Sequence, residues 1–101
     1  MEHRYHRRRP ARVAVELWRD DNLLGHFETR DIAPEGAFVE TGPTEVEPYE
    51  LLTLVLRNRK GQRVQQLRAM VVHRSEEGAG LLYEAEAPAL YRRLTREVEA
   101  A

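Results

Sequence analysis

The sequence predicts a small all-β domain: six short antiparallel strands forming a barrel or sandwich, with a basic arm before them and one helix after them. Three observations predict it. The chain has 101 residues, 42% hydrophobic and 33% charged, a composition that fits one globular domain. Apolar residues from Val13 to Tyr83 recur with strand period, in runs broken by Asp, Asn, Pro and Gly clusters. Helical spacing begins only beyond Pro88.

The elements follow in order. Residues 1–10, MEHRYHRRRP, show no apolar periodicity and read as a flexible arm, with Pro10 barring a continuous ladder. The domain proper spans 11–101. Val13, Val15 and Leu17 alternate with Ala14, Glu16 and Trp18 in the first strand, and Asp20, Asp21 and Asn22 form a turn. Leu23 to Arg30 is the second strand. Asp31 to Gly36, DIAPEG, reads as a turn or bulge, because Pro34 cannot donate to a central ladder and Gly36 tolerates positive φ. Ala37 to Thr41 is the third strand, and Gly42 to Glu50 is a loop with two prolines and three glutamates. Leu52, Leu54 and Leu56 alternate in the fourth strand, with Leu51 and Val55 making it apolar on both faces. A hairpin turn over Asn58–Gly61 leads into a long fifth strand, Arg63–Arg74. The odd spacing from Val64 to Leu67 predicts a bulge in it. Ser75–Gly78 turns again, and Ala79–Ala85 is the sixth strand. Pro88 opens a helix over about 87–100, with Leu90, Tyr91, Leu94 and Val98 on one stripe. A barrel removes exposed strand edges, and the helix suits one open end of it.

Charge is distributed unevenly. Residues 1–12 hold five Arg against Glu2, a net charge of +4, while the other 89 residues hold 11 bases and 16 acids, a net of −5. An acidic body repels a polyanion, so DNA and RNA are not expected partners; a small nucleotide with few phosphates suits a short basic arm better. Cys is absent, which excludes disulfides, thiol catalysis and Cys-ligated metal. No apolar run approaches the roughly 20 residues of a membrane span. The charged N-terminus lacks the apolar core of an export signal, so a cytoplasmic protein is expected.

Catalysis and metal binding find little support. Ser75 and His73 lie two residues apart, but the glycine pattern of a nucleophile elbow is missing. His3, His6, His26 and His73 show no metal-ligand spacing, and Glu45, Glu47 and Glu50 read as an acidic surface loop. No glycine-rich phosphate loop occurs. The expectation is a non-enzymatic protein without a metal.

The most specific constellation joins two short motifs. Arg8-Arg9-Pro10-Ala11-Arg12 is an RxxxR where the arm meets the first strand, and Asp31-Ile32-Ala33-Pro34-Glu35-Gly36 is a DxAxxG between strands two and three. Val71-Val72-His73-Arg74 follows, and then Gly78-Ala79-Gly80-Leu81-Leu82-Tyr83. In this order and on this strand pattern the four resemble the PilZ domain family, which carries RxxxR, then [DN]xSxxG, then a Val-Val-x-Arg strand and a Gly-x-Gly strand. The resemblance covers roughly residues 4–86.

The resemblance implies a six-stranded antiparallel PilZ-type barrel and a receptor for cyclic di-GMP. Arg8 and Arg12 would then clamp guanine and phosphate, Arg7 would support them, Asp31 would accept from the guanine edge, and Gly36 would let the backbone come close. Arg chemistry agrees, since a guanidinium pairs with guanine O6 and N7 and stacks on a purine. Binding would order the arm against the barrel and change the surface offered to a protein effector in trans, in motility or surface-polysaccharide machinery. Ala33 departs from the family pattern, standing where the motif has Ser. A domain that does not bind the nucleotide, and acts as an adaptor through protein contacts alone, is the alternative.

Overall fold

The computed structural model describes residues 9–58 and 60–84. The predicted helix over 87–100 and the arm before Arg9 lie outside the described residues. The described residues form seven strands: β1 (Arg9–Pro10), β2 (Ala14–Arg19), β3 (Asn22–Ala33), β4 (Gly36–Glu40), β5 (Leu51–Arg57), β6 (Arg63–Arg74) and β7 (Ala79–Tyr83). Every pairing is antiparallel, and the order β3-β2-β5-β6-β7-β4 closes through a β3–β4 pairing, giving a six-stranded barrel.

The predicted alternation places the core. Val15, Leu17, Leu52, Leu54, Leu56, Val71 and Leu81 are at most 3% exposed and fill the barrel. Val55 is also buried, on the outer wall, where it pairs with Glu16 across β2 and β5. Leu51, by contrast, is about half exposed. Glu16 is a buried carboxylate that the alternation alone marks as a surface residue. Arg57 donates to it at 2.7 Å and Trp18 Nε1 at 3.0 Å, and the Arg57 guanidinium holds its carboxyl below the usual range.

Four one-residue slips bend the walls. One falls at Val64, where Leu56 faces Gln65 and Arg57 faces Arg63, so the predicted bulge sits at the first residue of its expected window. Another falls at Val72, inside the Val-Val-His-Arg segment. The loop over 41–50 is anchored by Val46, which is buried in the core, by the Arg19–Glu50 ion pair and by Tyr49 N–H donating to Val71 O at 2.6 Å.

Two expectations are corrected. Arg9 and Pro10 are not part of a free arm but pair with Ile32 and Asp31 of β3. Pro10 thus lies within the ladder rather than barring it, and the regular pairing lapses after it, over Ala11–Val13. Asp31, Ile32 and Ala33 belong to β3, and the turn shrinks to Pro34–Glu35, because β1 and β4 supply partners on both edges of this half of the strand.

Candidate functional site

The RxxxR junction is built on one hydroxyl. Where the ladder lapses between β1 and β2, Thr29 of β3 substitutes for it. Its hydroxyl donates to Ala11 O at 2.5 Å and accepts from Val13 N–H at 3.0 Å, while its own N–H donates to Val13 O at 3.0 Å. Ala11 N–H donates to Arg30 O at 3.1 Å. Thr29 is 2% exposed, so these groups are bonded out of water, where leaving one unpaired is costly. Arg12, between the two stitched residues, projects to the surface with its side chain 64% exposed.

The second motif forms the β3–β4 hairpin. Pro34 and Glu35 make a two-residue turn between paired Ala33 and Gly36. Gly36 does not adopt positive φ, correcting that part of the sequence reading; positive-φ glycines among the described residues are Gly42 and Gly61. What Gly36 permits is close approach to β7. A Cβ there would lie 2.0 Å from Leu81 O. Gly78 plays the same part at the other end of this seam, where a Cβ would lie 2.0 Å from Val39 O. Tyr83 N–H donates to Glu35 O at 2.8 Å and ties the turn to the end of β7. Ala33 is 1% exposed, so the position where the family motif has Ser is shielded from solvent.

The two motifs share one wall, formed by β3 and β4. Arg12 donates to Glu40 Oε1 at 2.5 Å and lies 3.7 Å from Glu28. Arg30, the extra residue of the bulge between Thr29 and Asp31, lies with its guanidinium 4.4 Å from the Phe38 ring centroid. It also contacts Glu40 at 3.4 Å and Glu77 at 3.0 Å. Phe38 pairs with Asp31 across β3–β4 and with Gly80 across β4–β7, and the His73 ring is tilted beside it at 6.5 Å. The Arg12 guanidinium, with Arg30 behind it, holds the Glu40 carboxyl below the usual carboxylate range. The wall therefore offers two guanidiniums, one of them backed by a buried aromatic ring, which suit an anionic ligand with planar groups, and carboxylates that already pair with those guanidiniums.

Of the site residues expected from sequence, Arg12, Asp31, Ala33 and Gly36 fall on or against this wall, while Arg7 and Arg8 lie outside the described residues. Sequence reasoning missed Thr29, Arg30, Phe38 and Glu40. The parity of Ala37-Phe38-Val39 was a usable signal, since it puts Phe38 on the face opposite two small core residues. The Ser75 hydroxyl accepts from Glu77 N–H at 3.2 Å, a role internal to its turn. Among the described residues no group of three or more His, Asp or Glu is placed to hold a metal, and no helix is long and apolar enough to cross a membrane.

Comparison with known proteins agrees with this architecture. The family model described as PilZ domain matches residues 2–100. A structure described as the PilZ domain of CeSA from a cellulose-synthesizing bacterium superposes with a TM-score of 0.65 at 18% identity, covering 93% of this chain and 96% of that one. The Bacillus subtilis inhibitor of motility, MotI/DgrA, superposes with a TM-score of 0.70 at 17% identity, covering 99% of this chain and 51% of that one. No curated protein sequence matches the chain.

Proposed function

From the premise that this chain belongs to the PilZ domain family, we propose that it is a cytoplasmic, non-enzymatic receptor for cyclic di-GMP that signals in trans to a protein effector. In this reading Arg8 and Arg12 grip guanine and phosphate, Arg7 supports them, and Asp31 accepts from the guanine N1/N2 edge. The observation that supports it best is the Thr29 staple. It fastens the Arg-rich junction to the strand that carries Asp31, so two motifs distant in sequence meet on one wall. The output is then a changed surface, to be read by motility or surface-polysaccharide machinery.

Calorimetric titration with cyclic di-GMP, with GTP as control, tests it. Saturable binding at micromolar or lower concentration, absent with GTP and lost in Arg8→Ala, is the expected result. Silence up to hundreds of micromolar would remove the receptor reading.

A second reading has its own support. Ala33 stands in place of the motif Ser and is shielded, and Arg12 already has carboxylate partners. On that reading the chain is an adaptor that does not bind the nucleotide. Ala33→Ser weighs the missing hydroxyl. If the ligand uses it, the restored group tightens binding by about 5-fold or more, the value of one hydrogen bond. An unchanged dissociation constant in a protein that does bind would show that the ligand makes no use of this position.

A further inference from the structure

On the β3–β4 wall one carboxylate touches both Arg12 and Arg30. Glu40 accepts from Arg12 at 2.5 Å and lies 3.4 Å from Arg30. Glu28 reaches Arg12 only at 3.7 Å, and Glu77 meets Arg30 from the β6–β7 turn; both are well exposed, at 59% and 70%. Glu40 is the more shielded acid, at 29%, and it sits between the two cations it contacts. Arg30 is further steadied by the Phe38 ring beneath it.

We propose that Glu40 is an internal competitor for the anionic ligand, and that Arg30 on Phe38 is an additional ligand-binding group which Glu40 shares with Arg12. The inference rests on the receptor reading above. A phosphodiester approaching this wall meets guanidiniums already paired with a carboxylate. Binding is an exchange, in which ligand phosphate takes Arg12 and Arg30 and Glu40 is released to water. The exchange is feasible because partly exposed ion pairs are individually weak, so a ligand bearing two phosphates can replace them. Glu40 thereby lowers affinity and raises selectivity. A mononucleotide that engages one cation leaves the other pair intact, whereas a ligand long enough to take both displaces the carboxylate completely.

The test is calorimetry with cyclic di-GMP on four full-length proteins of verified thermal stability: the parent, Glu40→Gln, Arg30→Gln and Glu76→Gln. Glu76 lies on the turn beside Glu77 and serves as a control for the same change in net charge. Glu40→Gln is expected to tighten binding by about tenfold, and Arg30→Gln to weaken it by about tenfold, the scale of one charge-assisted contact. Glu76→Gln is expected to change it by less than about twofold, a screened surface effect. Binding by Glu40→Gln where the parent is silent would also support the proposal. A parent that binds with Glu40→Gln no tighter than the Glu76→Gln control overturns the competitor role alone. Parental affinity in Arg30→Gln overturns the Arg30 role. Silence in all four folded proteins removes the receptor reading and this inference together.

Discussion

Gly36→Ala is expected to destabilise the barrel by about 3 kcal/mol or more, the upper range for overpacking a rigid site. The added Cβ would lie 2.0 Å from Leu81 O, 3.1 Å from Leu81 C and 3.2 Å from Leu82 Cα. All three are backbone atoms of a paired strand, so no rotamer change relieves the contact. Gly36 pairs with Leu82 on the β4–β7 seam, one of the pairings that close the barrel, and the strain therefore falls on closure. For a domain of this size the melting temperature should fall by roughly 12–24 °C. Gly42→Ala is the control. It meets nothing within 4 Å but must hold a φ of 67°. That left-handed strain costs about 1–2 kcal/mol. Thermal unfolding by circular dichroism measures both. A Gly36→Ala protein melting within a few degrees of the parent would show that β4 and β7 can separate locally, and the packing account would be wrong.

Thr29→Val is expected to be nearly as costly for stability and, if the receptor reading holds, more costly for binding. The substitution keeps the branched shape and removes the hydroxyl. Val13 N–H and Ala11 O then lose the partner that bonds them at the junction. Two groups stranded beside a side chain of 2% exposure cost about 2–3 kcal/mol together. The effect on Arg12 is indirect, since Thr29 positions its backbone and touches no ligand. Denaturant unfolding should show the loss, amide exchange at Val13 should accelerate, and cyclic di-GMP affinity should drop. Thr29→Ser should recover most of the binding, because it retains the hydroxyl and gives up only a methyl group. Equal affinity in Thr29→Val and the parent would show that the junction holds its geometry without the staple.

Several features of the fold were legible along the chain. All six barrel strands were marked in the sequence, with ends correct to within one residue except at the C-terminal ends of β3 and β7. A turn between β5 and β6 was readable from residue chemistry, and Gly61 there has a φ of 81°. The candidate wall was legible in part. Arg12, Asp31, Ala33 and Gly36 were marked by the resemblance to the family motifs, but the reason offered for Gly36 was only partly right. Its missing Cβ serves packing against Leu81, a neighbour set by strand pairing.

What the amino-acid order determined alone is the local part: where strands run, which side chains face inward, where the chain turns and where positive charge gathers. Those properties depend on neighbours two or four residues away, and the period-two pattern carries them. The tertiary structure decided the rest. DIA became strand because β1 and β4 supply hydrogen-bond partners to both its edges. Glu16 became a buried carboxylate because Arg57 comes from a strand that pairs with its own. Thr29, Arg30, Phe38 and Glu40 came together on one wall only when the β3–β4 hairpin set its strands side by side and its bulge brought the Arg30 guanidinium over the Phe38 ring. A hydroxyl, a carboxylate or an absent Cβ takes its role from the atoms across the ladder, and strand pairing, not position along the chain, chooses those atoms.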